Sequence, residues 1–557
     1  MTAFDRKDRS LRPRTATSAF ALLRAFRRKE EGVLAKPMIL VTLLMLMVGG
    51  IGIDLMRFER DRTVLQYTLD RAVLAAADLD QEFEPEAVVQ DYLEKSGLGE
   101  YYDTPLVEQG QGFKKVESTI ETPFAAQYLQ LFGDSELMLR ARSRAEESID
   151  DIEITLVLDV SGSMNSNSRL PNLKVAAQEF VDAIGLNTIE GKMSMSIVPY
   201  ATQVAGPDEL YAELNTSGAH PYSNCINFDA ADFETSTISL TDSYERTMHF
   251  APWYTIDRRS DDTRLVTLPV CDERASREMM LLEDDADTLK SFIQGLVAEG
   301  NTSIDLGMKW GTALLDPSIN PAIVNLTTGD DPYIDPTFAT RPAAYTDPET
   351  LKIIVLMTDG QNTSQYYIRD HFRGQTSDVW YNDTARVYST YSASRNEYYW
   401  HSDGNSLSDL PRWEDHPYGD GEYRKCSYYS CYWQNESGSA ERLTYEDLWA
   451  DTSLRYVSDR LFADWQGTST ARSTYYNGAY STVGGSTKNN RTQDICDAAK
   501  AQGIIVYTIG FEAPSNGQTV LKNCASSDSH FFDVDGLEIS DAFASIATSI
   551  RQLRLTQ

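Results

Sequence analysis

Two runs of almost unbroken apolar, largely β-branched residues organise this chain: Ile154-Thr155-Leu156-Val157-Leu158 and Ile353-Ile354-Val355-Leu356-Met357. Short runs of this kind are the pattern of parallel strands buried on both faces. Around them the hydrophobic period switches to that of helices. Over 170–184 the apolar positions Leu173, Ala176, Ala177, Phe180, Val181 and Ile184 recur at helical spacing. The same pattern predicts strands at 153–158, 193–199, near Met279–Leu282, at 351–357, at 503–510 and at Phe531–Val534. It predicts helices at 170–184, 286–298, 303–315, 491–501, 516–523 and 537–553. Strands alternating with helices give an α/β fold with a doubly wound, mostly parallel sheet. The alternation is broken by insertions at about 201–277, 317–349 and 361–490.

A different pattern opens the chain. Met38 to Ile53 carries no charge, and with Pro37 and Asp54-Leu55-Met56 it approaches the roughly 20 residues that span a bilayer. The segments are accordingly a basic tail at 1–36, a transmembrane anchor at 37–56, a membrane-proximal helix and small α+β module at 57–150, and the α/β domain at 151–557. Residues 57–80 lack Gly and Pro and place Val64, Leu65, Leu69, Val73 and Ala76 on one stripe. The module is predicted to hold a helix at 86–95 and extended segments near 113–121 and 136–143.

Charge sharpens this division. The 557-residue chain carries a formal net charge of −33, yet residues 1–36 hold ten Lys/Arg against Asp5, Asp8, Glu30 and Glu31, which leaves −39 for the remainder. So acidic a bulk excludes nucleic acid as a partner. The basic flank Arg24, Arg27, Arg28, Lys29 and Lys36 predicts a single-pass inner-membrane protein with a cytoplasmic N-terminus and an exported, periplasmic or surface-exposed bulk. A cleavable signal peptide needs a small-residue site just past the apolar run, where Asp54, Arg57 and Arg60 stand instead. Six cysteines agree with an oxidising compartment, and nearness in sequence pairs Cys225 with Cys271, Cys426 with Cys431, and Cys496 with Cys524 out of 15 possible pairings.

The chemistry sits where the two apolar runs end. Asp159, Ser161 and Ser163 stand in D-V-S-G-S-M, Thr302 in G-N-T-S, and Asp359 in L-M-T-D-G. Ligands bind at strand tips of such sheets. Two carboxylates and three hydroxyls, with no His or Cys, suit a hard divalent cation, Mg²⁺ or Mn²⁺. These motifs, in this order, resemble the von Willebrand factor A family and its metal-ion-dependent adhesion site. The resemblance implies that Ser161, Ser163 and Thr302 coordinate the ion directly, and that Asp159 and Asp359 do so directly or through water. One position is then left for an acidic side chain from a protein partner.

A second resemblance covers the N-terminus. The basic tail, G-V-L-A, the apolar run, G-I-D and L-Q-Y-T-L-D-R-A-V-L-A-A-A are similar to the TadE/TadG-type start of Tad (tight adherence) pilus proteins. TadG-like members place a von Willebrand A domain after it. Gly32 is followed by Val33, Leu34, Ala35, Lys36 and Pro37, without the Glu five residues on that marks processed pseudopilins of that system, which fits an uncleaved, TadG-like anchor.

Other chemistries lack their residues. The six histidines fall in no H-x₃-H or H-E-x-x-H spacing, Ser161 has no G-x-S-x-G around it, and no G-x-x-x-x-G-K-[ST] occurs. Asp330, Asp331 and Asp335 lack the spacing of a calcium loop. The expected function is therefore not enzymatic. It is metal-dependent protein binding in Tad pilus assembly, with a pilus-tip or surface adhesin and a metal-free structural scaffold as alternatives. Insertion 361–490 holds 17 of the 30 tyrosines and six of the eight tryptophans. It is either an interaction surface or a subdomain with its own aromatic core.

Overall fold

The computed structural model describes residues 34–78, 81, 83–110, 113–129, 137–148, 151–185, 191–218, 220–260, 265–347, 350–401, 413–426 and 429–555, so the basic tail lies outside the described residues up to residue 33. The chain divides into two compact units, Met1–Ser148 and Ile149–Gln557.

The first unit is built on one 43-residue helix, α1, Ala35–Ala77, about 65 Å long at 1.5 Å per residue. Its first turns expose Met38, Ile39, Leu40, Leu43, Met45 and Leu46. From Gly50 onward it packs on its own module: a Cβ at Gly50 would stand 2.8 Å from the Tyr128 ring. One turn later the buried Asp54 carboxylate accepts backbone N–H bonds from Gln127, Tyr128 and Leu129 at 3.1, 2.7 and 2.9 Å. Leu65, Leu69, Ala72, Val73 and Ala76 form the buried stripe with Val88, Val89 and Leu93 of α2, Pro85–Lys95. Val64 departs from the expected stripe. It is exposed, because it lies one residue, or about 100°, around the helix from Leu65. The sheet beneath is antiparallel in the order β1 (Leu106–Gly110), β2 (Phe113–Phe124), β3 (Leu137–Ser148). β1 is a strand the sequence pattern did not predict.

The second unit holds a six-stranded sheet made of β4 (Asp151–Asp159), β5 (Met193–Tyr200), β6 (Met280–Glu283), β7 (Thr350–Thr358), β8 (Ile505–Phe511) and β9 (Phe531–Val534). The spatial order is β9-β8-β7-β4-β5-β6. Neighbours run parallel except β6, which pairs antiparallel with β5 at the edge. One face is covered by α3 (Arg169–Gly185), α4 (Ala286–Gly295) and α8 (Glu538–Leu555), through Leu173, Phe180, Leu289, Phe543 and Ile546. The other is covered by α5 (Ile304–Ala313), α6 (Gly485–Ala501) and α7 (Ser515–Cys524), through Ile304, Met308, Trp310, Ile495 and Leu521. This is a doubly wound, mostly parallel sheet, as the sequence pattern predicts. α6 begins at Gly485 rather than 491, so the third insertion is shorter than predicted.

That insertion opens and closes on itself, since Gln365–Ile368 pairs antiparallel with Tyr480–Val483. Inside it lies a five-stranded antiparallel sheet. Its core of Phe372, Val379, Tyr381, Tyr388, Trp449, Leu461 and Phe462 also takes in Met248, Phe250 and Val270 from the first insertion. Some of its aromatics thus make a core shared by two insertions, while Trp400, Tyr418 and Tyr423 form a separate small cluster. Tyr429, Tyr432 and Trp433, at the hairpin Glu422–Cys426/Cys431–Asn435, stay exposed. Disulfides join Cys225–Cys271, Cys426–Cys431 and Cys496–Cys524.

Candidate metal centre

β4 and β7 lie side by side in parallel register, Leu158 opposite Met357. Their carboxyl ends therefore deliver Asp159 and Asp359 to the same edge of the sheet. The chain turns sharply after β4 because the Asp159 carboxylate ties down both flanks: Oδ1 accepts from Ser161 N at 2.7 Å and Oδ2 from Thr358 Oγ1 at 2.5 Å. A single 3₁₀ turn, Gly162–Asn165, then brings Ser163 Oγ to 3.1 Å from Ser161 Oγ, where it donates to Asp359 Oδ1 at 2.7 Å.

Thr302 arrives from the loop before α5. Gly300 has φ +83°, a left-handed backbone that glycine adopts without strain. Its carbonyl accepts from Gly162 N at 3.0 Å, and Glu299 N donates to Val160 O at 2.9 Å, so this loop is stitched to the one carrying the serines. On its other side Thr302 N donates to Thr363 Oγ1 at 2.9 Å, and Thr302 O accepts from Thr363 N at 3.0 Å. The three loops meet at Gly360: a Cβ there would stand 3.7 Å from Thr302 Oγ1 and 4.0 Å from Ser163 Oγ. All five residues singled out from the sequence are brought to this point.

The electrostatics favour a cation. Burial first, and the neighbouring Asp359 charge second, push the Asp159 carboxyl well above its ordinary range. Burial likewise raises Asp359, against hydrogen bonds from Ser163 and Arg169. Two buried carboxylates at one point disfavour each other's charged form. An all-oxygen donor set with surplus negative charge fits a hard divalent ion such as Mg²⁺ or Mn²⁺.

Five further residues of the site were not singled out from the sequence. Arg169, the first residue of α3, donates through Nη1 to Asp359 Oδ2 at 2.7 Å and through Nε to Glu512 Oε2 at 2.9 Å. Asn167 Nδ2 also donates to Glu512 Oε2, at 2.9 Å. Asn167, Ser168 and Glu512 all have left-handed backbone, at φ 53°, 58° and 53°, each costing a non-glycine residue roughly 1–2 kcal/mol. Lys488 of α6, fully buried, donates to Thr302 O, Ser303 Oγ and Thr363 O at 2.9, 2.5 and 3.0 Å. Burial lowers its ammonium to about 8. Thr358 completes the set by fixing Asp159. Their partners lie far off in sequence, which is why local pattern does not reveal them.

Fold and site together define a doubly wound α/β domain with an oxygen-lined strand-tip centre. Residues 32–79 match the Tad family model, described as putative Flp pilus-assembly TadE/G-like, so the chain joins a TadE/G-like N-terminal segment to this domain. No curated protein matches the chain. Among solved structures it is similar to the vWF domain of the type V pili tip protein Mfa5 from Porphyromonas gingivalis, at 15% identity over 72% of this chain and 96% of that one, TM-score 0.30. It is similar as well to the adhesive tip pilin GBS104 from Group B Streptococcus agalactiae, at 13% identity over 72% of this chain and 100% of that one, TM-score 0.27. A further similar structure is the pilus adhesin SpaC from Lactobacillus rhamnosus GG, at 11% identity over 80% of this chain and 34% of that one, TM-score 0.28.

Proposed function

We propose that this protein is a membrane-anchored, metal-dependent binding module of Tad-type pilus assembly. The observation that carries the metal reading is the meeting of Asp159, Ser161, Ser163, Thr302 and Asp359 at one point of the sheet edge, with Ser163 Oγ 2.7 Å from Asp359 Oδ1. In this reading Ser161, Ser163 and Thr302 hold Mg²⁺ or Mn²⁺, and Asp159 and Asp359 balance its charge. The bound ion supplies a Lewis-acidic position for a carboxylate. The chain's own part is to orient three neutral hydroxyls, which leave the ion short of negative charge, so that an acidic side chain of a pilus or secretion component completes the site.

The pilus context is supported by the TadE/G-like match at 32–79. Anchoring is supported by α1, which contains an 18-residue stretch of mean hydropathy 2.3, only 11% of it buried. The basic residues ahead of it favour a cytoplasmic N-terminus and a periplasmic bulk. Binding rather than catalysis is favoured because Ser161 and Ser163 bond to each other and Ser163 to Asp359, and among the described residues no histidine hydrogen-bonds either hydroxyl as a base.

A second reading has one observation behind it. Arg169 already supplies a cation to Asp359 at 2.7 Å, as a metal-free scaffold would require. Retention of partners from envelope extract by the detergent-solubilised full chain separates the two. Partners held with Mg²⁺, but lost with EDTA and in Asp159→Ala, support binding through the ion. Equal recovery in all three lanes overturns it in favour of the scaffold.

A further inference from the structure

We infer that Arg169 is a resident counter-ion that competes with the divalent cation for Asp359, so that the centre is built for reversible rather than permanent occupancy. This rests on the metal reading proposed above and deepens it by naming what sets the ion's affinity.

The geometry is specific. Asp359 has one oxygen on Ser163 and the other on the Arg169 guanidinium, at 2.7 Å each. Arg169 is itself mostly buried, with its side chain 15% exposed, and is held from behind by Glu512 at 2.9 Å. Its position is imposed: two consecutive non-glycine residues, Asn167 and Ser168, take left-handed backbone to bring the head of α3 over the strand tips, and Glu512 does the same to meet it. Strained backbone of this sort persists where surrounding contacts over-determine it, commonly at functional sites. A guanidinium stays charged at any physiological pH. A divalent ion entering beside Asp359 therefore meets a fixed positive charge, and its approach is offset by Arg169 being drawn toward Glu512. With no ion, Arg169 neutralises one of the two buried carboxylates. Asp159, by contrast, is held by the neutral donors Ser161 N and Thr358 Oγ1, with no ion pair among the described residues. Glu512 is what allows Arg169 to yield.

The two flanking residues give opposite expectations. Mn²⁺ titration into the detergent-solubilised full chain by isothermal calorimetry should show Arg169→Gln binding about tenfold or more tightly than wild type. Arg169→Lys keeps the charge but not the two-pronged grip on Asp359 and Glu512, and should bind more tightly than wild type and less tightly than Arg169→Gln. Glu512→Gln, which leaves Arg169 in place with Asp359 as its remaining carboxylate, should bind about threefold or more weakly. Unchanged or weaker binding in Arg169→Gln, or tighter binding in Glu512→Gln, overturns the inference while leaving the metal reading standing. Failure of wild type and of every variant to bind Mn²⁺ overturns both. If Arg169→Gln does not fold, the Glu512→Gln result alone decides.

Discussion

Gly311 of α5 approaches Val157 of β4 so closely that a Cβ on it would stand 2.4 Å from Val157 Cγ2. Gly307, one turn earlier, is as close to the Tyr200 ring, at 2.6 Å. Two glycines four residues apart thus let α5 lie directly on the sheet, and the loop that α5 begins from carries Thr302. Gly311→Ala gains helix propensity of about 1 kcal/mol. It must also displace a β-branched neighbour in a central strand, which costs roughly 1–3 kcal/mol. The expected outcome is a net loss of about 1 kcal/mol in urea denaturation together with weaker Mn²⁺ binding, as the Thr302 loop is pushed outward. Weaker stability with unchanged Mn²⁺ binding would separate the helix seat from the site.

Acid should weaken the first insertion through two histidines. Burial lowers His220 from 6.5 to about 4 and His249 from 6.5 to about 3. Neither ring nitrogen of His249 has a hydrogen-bond partner. Because the folded state binds fewer protons than the unfolded one, stability is full above 6.5 and falls as pH drops toward the lowered values. At pH 5 each histidine accounts for about 2 kcal/mol of that fall. The raised carboxyls of Asp159 and Asp359 work in the opposite direction, so the comparison must be made between variants. Between pH 7.5 and 5.0, His249→Leu should lose about 2 kcal/mol less than wild type. Parallel losses in the two proteins would exclude His249 as the acid-sensitive group.

How much of this was visible in the sequence depends on how local the cause is. β4 and β7 were legible because burial on both faces leaves nearly unbroken apolar runs, and the residues ending them announce the strand-tip centre. α6 was predicted to start at 491 because Gly485-Ser486-Thr487-Lys488-Asn489-Asn490 is a poor helix-forming stretch. Tertiary bonds override that propensity, since Lys488 reaches three acceptors on the Thr302 and Thr363 loops. β1 is short and carries Glu108-Gln109-Gly110, so it gave no strand signal. The Arg169–Glu512 pair spans 343 residues, and nothing in either local sequence points to the other. The aromatic insertion was ambiguous by composition alone, because a self-packed core and an exposed surface use the same side chains.

The three disulfides should differ in their worth. Cys496 and Cys524 are 28 residues apart and bracket β8, Cys225 and Cys271 are 46 apart, and Cys426 and Cys431 only five apart across one hairpin. Constraint of the unfolded chain grows with the closed loop. Removing Cys496–Cys524 by paired alanine substitution should cost about 3–4 kcal/mol, and removing Cys426–Cys431 about 2 kcal/mol at most. Urea midpoints of the two double variants check the order. An equal or larger loss at the hairpin would mean that native contacts, not loop closure, dominate there.

The last prediction concerns the N-terminal unit. Leu69 is fully buried between α2 and the β2–β3 sheet, in a stripe with Leu65, Val73 and Ala76. Leu69→Asp would place an unpaired carboxylate in that core, at a cost of several kcal/mol, which is a large share of what a unit this small has in reserve. Val64 offers the control, since it lies on the same helix, five residues earlier, but is 59% exposed. Limited proteolysis of membranes carrying the full chain should show rapid cleavage within residues 81–148 for Leu69→Asp and wild-type resistance for Val64→Asp. Should both variants be cleaved alike, the exposed side of α1 is also covered by a neighbour, and the helix has two packed faces rather than one.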